Sequence, residues 1–238
     1  MNSTKLILIL PLLLFLIYFG AGIFYDAKYV IYIKPFILPS FMIYAAIAHA
    51  DKMIIQFYFF VLFLYIGDML ILFGYTFLVP LQIALISKFL CYIMLVFLGK
   101  EVIFANKIRT MFDGFTLIIF LLNCVLFFVI VLILMDLIEN IITDIIVVLN
   151  AIAAAILGII AALYLSRDNT FKVFLFFFGS YALILSDVFA ALESYYFENI
   201  VLNTADRLLH FLAFYLIYMF CIQQNSVAKN YTSDRIYI

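Results

Sequence analysis

The chain has 238 residues, of which 70% are hydrophobic and 11% charged, with a formal net charge of −1. A soluble domain carries about 25% charged residues, so this composition excludes an ordinary water-soluble fold and points to an all-α, polytopic membrane helical bundle. The absence of any basic stripe excludes nucleic-acid binding, and two histidines cannot make a three-histidine metal site.

The first apolar run is Lys5–Tyr25. Its charged start and Gly20-Ala21-Gly22 imitate a signal peptide, but the run is long enough to span a bilayer and is expected to stay uncleaved. The second run, Tyr29–Ala48, contains Lys34-Pro35 and Pro39. Proline disfavours helix at the residue before it and removes a backbone donor, so irregular backbone is expected near Lys34. The third run, Ile54–Gly74, carries Asp68, and the fourth, Thr76–Leu98, carries Ser87-Lys88. After the polar connection Gly99–Gly114 comes a fifth run, Phe115–Met135. The sixth, Asp144–Leu165, is rich in alanine, which permits close helix approach. The seventh, Lys172–Leu192, carries Ser186-Asp187, and the eighth, Arg207–Ile222, carries His210. A polar cytoplasmic tail, Gln223–Ile238, follows the single transmembrane domain of residues 1–222. The three cysteines, Cys91, Cys124 and Cys221, lie in apolar runs without CxxC spacing and read as packing residues.

Eight spans place both termini on one side. Lys5, Lys52, Lys100, Lys107, Arg109, Arg167, Lys172, Lys229 and Arg235 fall on the side of the termini, against Lys28 and Arg207 on the other. The positive-inside rule then predicts a multi-pass protein of the cytoplasmic (inner) membrane with both termini cytoplasmic.

Counted from the span ends, Asp68, Asp187, Lys34 and His210 share one layer roughly 6–9 Å below the outer boundary, with Lys88 a turn deeper. An acid at mid-span costs about 2.5–3.5 kcal/mol on insertion scales, so two at matching depth read as a candidate site. Ile66-Gly67-Asp68 and Leu185-Ser186-Asp187 occupy similar positions in the third and seventh spans, which suggests a 4+4 pseudo-repeat with the acids facing each other across a shared cavity. The bland alternatives are structural ion pairs of the acids with Lys34 and Lys88, a snorkelling Lys34, a capping or interfacial His210, a local hydrogen bond of Ser186 beside Asp187, and an ordinary solvated loop at His49, Asp51 and Lys52.

Lys34-Pro35, Gly67-Asp68, Ser186-Asp187, Leu212-Ala213 and Tyr215-Leu216-Ile217, in this order, resemble the YhhN family of eight-span membrane proteins, which includes the lysoplasmalogenases. The chain departs from the family at Phe214, where members often carry Gln. The resemblance implies hydrolysis of the vinyl-ether bond of a lysoplasmalogen to a fatty aldehyde and a glycerophospho-headgroup, without metal or organic cofactor. Its partners would be the lysophospholipid substrate and membrane lipids. Asp68 and Asp187 match the family's paired acids and Lys34 its Lys-Pro. In this chemistry one carboxylic acid protonates the outer alkene carbon and the other carboxylate stabilises the cation and orients water. Lys34 would anchor the phosphate or bias which acid holds the proton, and Lys88, Ser186, His210 and Tyr215 would lend electrostatic or binding support. The rival expectations are a proton-coupled lipid or small-solute transporter and a non-enzymatic membrane protein whose acids are structural.

Overall fold

A computed structural model describes residues 3–24, 31–49, 53–74, 77–100, 140–167, 170–195 and 199–234, with scattered positions between 114 and 131. The helices are α1 (Ser3–Phe24), α2 (Lys34–His49), α3 (Ile55–Gly74), α4 (Leu78–Leu98), α5 (Ile141–Arg167), α6 (Phe171–Tyr195) and α7 (Ile200–Asp234). The expected helical membrane bundle is present, but the described residues do not amount to eight spans. Five helices, α3 to α7, are long and apolar enough to cross a bilayer. Helix α2 has 16 residues, fewer than the roughly 20 that a bilayer core requires, whereas α1 has 22. The expected fifth run, Phe115–Met135, lies mostly outside the described residues.

The backbone irregularity expected near Lys34 is a 3₁₀ turn, Ile31–Ile33, that leads into α2. Pro35 then sits in the first turn of α2, where a missing N–H costs nothing. Pro39 does remove an intrahelical bond, and beside it Ser40 Oγ donates to the Ile37 carbonyl at 2.7 Å. Helix α5 is capped by Asn140, whose Oδ1 accepts from the Ile142 and Thr143 amides at 3.1 Å each. Asn199 does the same for α7, accepting from the Val201 amide at 2.8 Å. That cap starts α7 about two turns earlier than the expected Arg207, and the helix runs on to Asp234 instead of ending at Ile222.

Contacts between helices fix their directions. The end of the bundle that carries Lys34, Leu78, Ile141 and Ile200 is here termed the upper end. Helices α6 and α7 are antiparallel, with Asn203 Nδ2 donating to Glu193 Oε1 at 2.9 Å near that end. Lower down the same pair closes tightly at Gly179, where a Cβ would lie 3.0 Å from Ile217 Cγ1. Helices α4 and α5 run parallel: Gln82 donates to Thr143 Oγ1 at 3.1 Å, Asn150 donates to the Leu85 carbonyl at 2.9 Å, and Gly99 abuts Ile160. Helix α7 returns against α1 through Phe15 and Phe211, whose rings lie 4.9 Å apart, so the bundle closes on itself.

The small residues of α5 are used as expected. Ala153, Ala154, Ala161 and Ala162 are buried, and Tyr181 of α6 comes close enough to donate to the Gly158 carbonyl at 3.3 Å. The bundle exterior is apolar, with Leu16, Phe36, Val125 and Phe171 among its most exposed side chains, as hydrocarbon solvent requires. Its lower interior is a plug of aromatic rings. Phe214 of α7 meets Phe41 of α2 at 5.3 Å and Phe57 of α3 at 6.0 Å, and all three are buried. Phe214 lies one turn below His210, so this plug is the floor of everything polar above it.

Candidate functional site: an ionisable layer in the upper half

The layer begins at α3. Asp68 is 2% exposed, and its Oδ1 lies 3.1 Å from Lys34 Nζ at the start of α2. Its Oδ2 lies 3.1 Å from His210 Nε2 of α7, close but not aligned for a hydrogen bond. One carboxylate therefore joins three helices. Each of these groups would be costly to bury alone, and their proximity offsets much of that cost.

A second cluster lies beside it. Asp187 of α6 receives Lys88 Nζ at 2.6 Å on Oδ1 and the Tyr92 hydroxyl at 2.5 Å on Oδ2, both donors coming from α4. Lys88 and Tyr92 are four residues apart, so they share a face of α4 and clamp both oxygens of one carboxylate. Lys88 reaches α6 by passing Gly67 of α3, where an added Cβ would lie 3.7 Å from its Cγ. It also feels the Asp68 charge, so the two ion pairs are electrostatically connected. Asp187 is 26% exposed, in contrast to the sealed Asp68.

A third cluster is centred on α7. Ser186 Oγ donates to Asp206 Oδ1 at 2.5 Å. The neighbouring Arg207 is 5% exposed and lies over the Tyr18 ring of α1, with its guanidinium carbon 4.8 Å from the ring centroid.

Five of the expected residues, Lys34, Asp68, Lys88, Asp187 and His210, thus converge on one layer. Their pairing differs from expectation. Each acid is held by its own lysine, the ion-pair alternative named from the sequence, and not by the other carboxyl. Lys34 is engaged by Asp68 and is neither a snorkelling side chain nor a free anchor. Ser186 bonds Asp206 on the next helix, not the adjacent Asp187, since successive residues of a helix point about 100° apart. Tyr215 is 46% exposed and lies outside the layer, on the bilayer-facing side of α7. His49 is no solvated loop residue: it ends α2, with Nδ1 2.8 Å from the Tyr218 hydroxyl. Asp51 and Lys52 lie outside the described residues.

Tyr92, Asp206, Arg207 and Tyr18 were not expected in the layer. The i, i+4 spacing from Lys88 could have flagged Tyr92. An eighth span counted from Arg207 leaves Asp206 outside it, whereas the Asn199 cap starts the helix at Ile200. Among the described residues, no group of three or more His, Cys, Asp or Glu side chains could hold a metal ion. Fold and layer together define a helical membrane protein with an ionisable centre in one half of its bundle. Comparison with known protein families, with curated proteins and with solved structures finds no match for the chain.

Proposed function

We propose that the chain is an integral-membrane ether hydrolase of the lysoplasmalogenase type, and that Asp187 is its proton-transferring acid. One observation carries the reading: of two intramembrane carboxylates in one layer, Asp68 is sealed between Lys34 and His210, while Asp187 stays partly open and is held at both oxygens. The two acids then divide the labour differently from a shared-proton pair. Asp68 is a positioning residue that fixes α2, α3 and α7, and Asp187 does the chemistry.

In this mechanism a lysophospholipid enters with its tail between helices and its headgroup at the upper end. The free glycerol hydroxyl of the substrate accepts from the Lys88 ammonium in place of Asp187 and frees the Asp187 carboxyl to carry a proton. That proton goes to the outer alkene carbon, which leaves an oxocarbenium ion stabilised by the carboxylate. Water adds to the carbon that bears the ether oxygen and returns its proton to Asp187. The hemiacetal then collapses to a fatty aldehyde and a glycerophospho-alcohol. Tyr92 holds the carboxyl in place throughout, and the Phe41, Phe57 and Phe214 floor keeps water from the lower half of the bundle.

The same proposal includes eight spans. Parallel α4 and α5 require the chain between Leu98 and Ile141 to recross the bundle thickness, and Phe115–Met135 is the apolar run suited to do so. Both termini are then cytoplasmic by the Lys/Arg bias, and the upper end faces away from the cytoplasm. The test is aldehyde release from a lysoplasmalogen by the purified protein in micelles. Asp187→Asn should lower turnover at least about 100-fold, the usual weight of a general acid. Turnover that persists in Asp187→Asn rejects the assignment, and solute flux in proteoliposomes without bond cleavage replaces it with the proton-coupled transporter.

A further inference from the structure

The three carboxylates of the layer are all engaged: Asp68 and Asp187 by lysines, Asp206 by Ser186. One cation of the layer is not. Among the described residues Arg207 makes neither an ion pair nor a hydrogen bond, and its one interaction is with the face of Tyr18, although the residue is 95% buried. Three residues further along α7, His210 is 1% exposed. Its Nε2 is turned to Asp68, and its Nδ1 has no partner among the described residues. Residues at i and i+3 share a helix face, and burial shows that this face looks into the bundle. A guanidinium without a described acceptor, three residues from an imidazole nitrogen without a described partner and on the same inward face, is an arrangement that can take an anion.

We infer that Arg207 and His210 form a phosphate-binding subsite, which holds the phosphodiester of a lysophospholipid headgroup. The inference rests on the hydrolase reading for its choice of lipid, and it moves the phosphate anchor from Lys34 to Arg207. The planar guanidinium fork bonds two phosphate oxygens, and the imidazole Nδ1–H bonds a third. Tyr18 fixes the guanidinium from behind. Arg207 lies roughly 10 Å along α7 from its first residue, a depth that a headgroup reaches only when the lipid is drawn into the bundle. From there the glycerol backbone extends towards the Lys88–Asp187 pair, the other open part of the layer.

The experiment measures binding, so it does not depend on turnover. The probes are a saturated alkyl-glycerophosphocholine, which has no vinyl ether to cleave, the matching monoalkylglycerol, which has no phosphate, and inorganic phosphate, each titrated against the full chain in micelles. The phospholipid analogue should bind wild type, and Arg207→Gln should weaken it about tenfold or more, as expected for a lost charge-assisted pair. The monoalkylglycerol should bind wild type and Arg207→Gln alike. Arg207→Lys keeps the charge and guards against a folding defect in Arg207→Gln; it loses the fork and should bind the analogue with intermediate affinity. Equal affinity of wild type and both variants for the analogue overturns the subsite, as does an equal loss for the monoalkylglycerol. Saturable inorganic phosphate binding that depends on Arg207, without any preference for the phospholipid analogue over the monoalkylglycerol, keeps the phosphate chemistry and overturns the lipid as its source. Arg207-dependent binding in a protein that never releases aldehyde would sink the hydrolase reading alone.

Discussion

Asp68→Asn tests the most tightly built part of the layer. The substitution is nearly isosteric but removes the charge facing Lys34 Nζ at 3.1 Å and His210 Nε2 at 3.1 Å. The amide cannot compensate a buried ammonium, and breaking one partner of a buried pair costs about 3–5 kcal/mol. For a chain of this size about 1 kcal/mol corresponds to roughly 2–4 °C in melting temperature, so Asp68→Asn should lower it by about 6–20 °C. Much of that loss is the penalty of the stranded Lys34, not the worth of the pair. The double variant Lys34→Met/Asp68→Asn should therefore recover most of the stability, because it leaves a neutral amide and an apolar chain of similar length. Thermal unfolding in detergent of wild type, both single variants and the double variant gives the complete cycle. Asp68→Asn melting with wild type, or a double variant no more stable than Asp68→Asn, would refute the account of Asp68 as the counter-ion that holds α2, α3 and α7 together.

The second ion pair should respond differently. Tyr92→Phe leaves Asp187 Oδ2 without its 2.5 Å donor; it should cost about 1.5–3 kcal/mol in unfolding and also depress aldehyde release, with the fold retained by circular dichroism. Ser186→Ala removes the link between α6 and α7 at Asp206 and should cost a similar amount in thermal unfolding. Glycines separate by space: Gly99→Ala places a Cβ 2.8 Å from Ile160 Cγ2 and from Phe176 Cζ, and should destabilise by about 1–3 kcal/mol, whereas Gly20→Ala meets nothing within 4 Å and should be neutral or stabilising by about 0.5–1 kcal/mol. In intact cells, a cysteine introduced at exposed Asn199 should react with an impermeant maleimide, and one at exposed Lys100 should react only after lysis; the reverse pattern would invert the orientation.

Depth was legible in the sequence, and pairing was not. A span is a ruler of 1.5 Å per residue, so counting inward from each apolar boundary puts Lys34, Asp68, Asp187 and His210 in one layer, with Lys88 a turn deeper. Whether two residues of a layer touch depends on the rotation of each helix and on which helix neighbours which, and hydropathy carries neither. Most spans here are apolar on all faces, so no amphipathic stripe marks the interior. The expectation that Asp68 faces Asp187 came from their similar positions along their spans, and it failed because Lys88 of α4 passes Gly67 to reach Asp187. Gly67 matters to that outcome: a larger side chain beside Asp68 would narrow the path of the lysine stem.

Boundaries failed for a second physical reason. Apolar runs mark where hydrocarbon begins, but a helix begins where its first amides find a cap. In α7 the run starts at Arg207, yet Asn199 caps the helix and brings Asn203, Asp206 and Arg207 into its first turns. Polar residues in a first turn look like loop to a hydropathy count, and at this site they are the residues that hold Glu193, Ser186 and the Tyr18 ring. The same reasoning applies to Arg207, which the apolar run puts at the boundary of its span and the cap puts two turns inside the helix. An arginine in a solvated loop is bland, whereas one that is 95% buried in a bundle must find an acceptor, and within this layer every carboxylate already has one. The unmatched cation is therefore a consequence of α7 starting at its Asn199 cap: a helix that began after Arg207 would leave the guanidinium in a connection, where water solvates it.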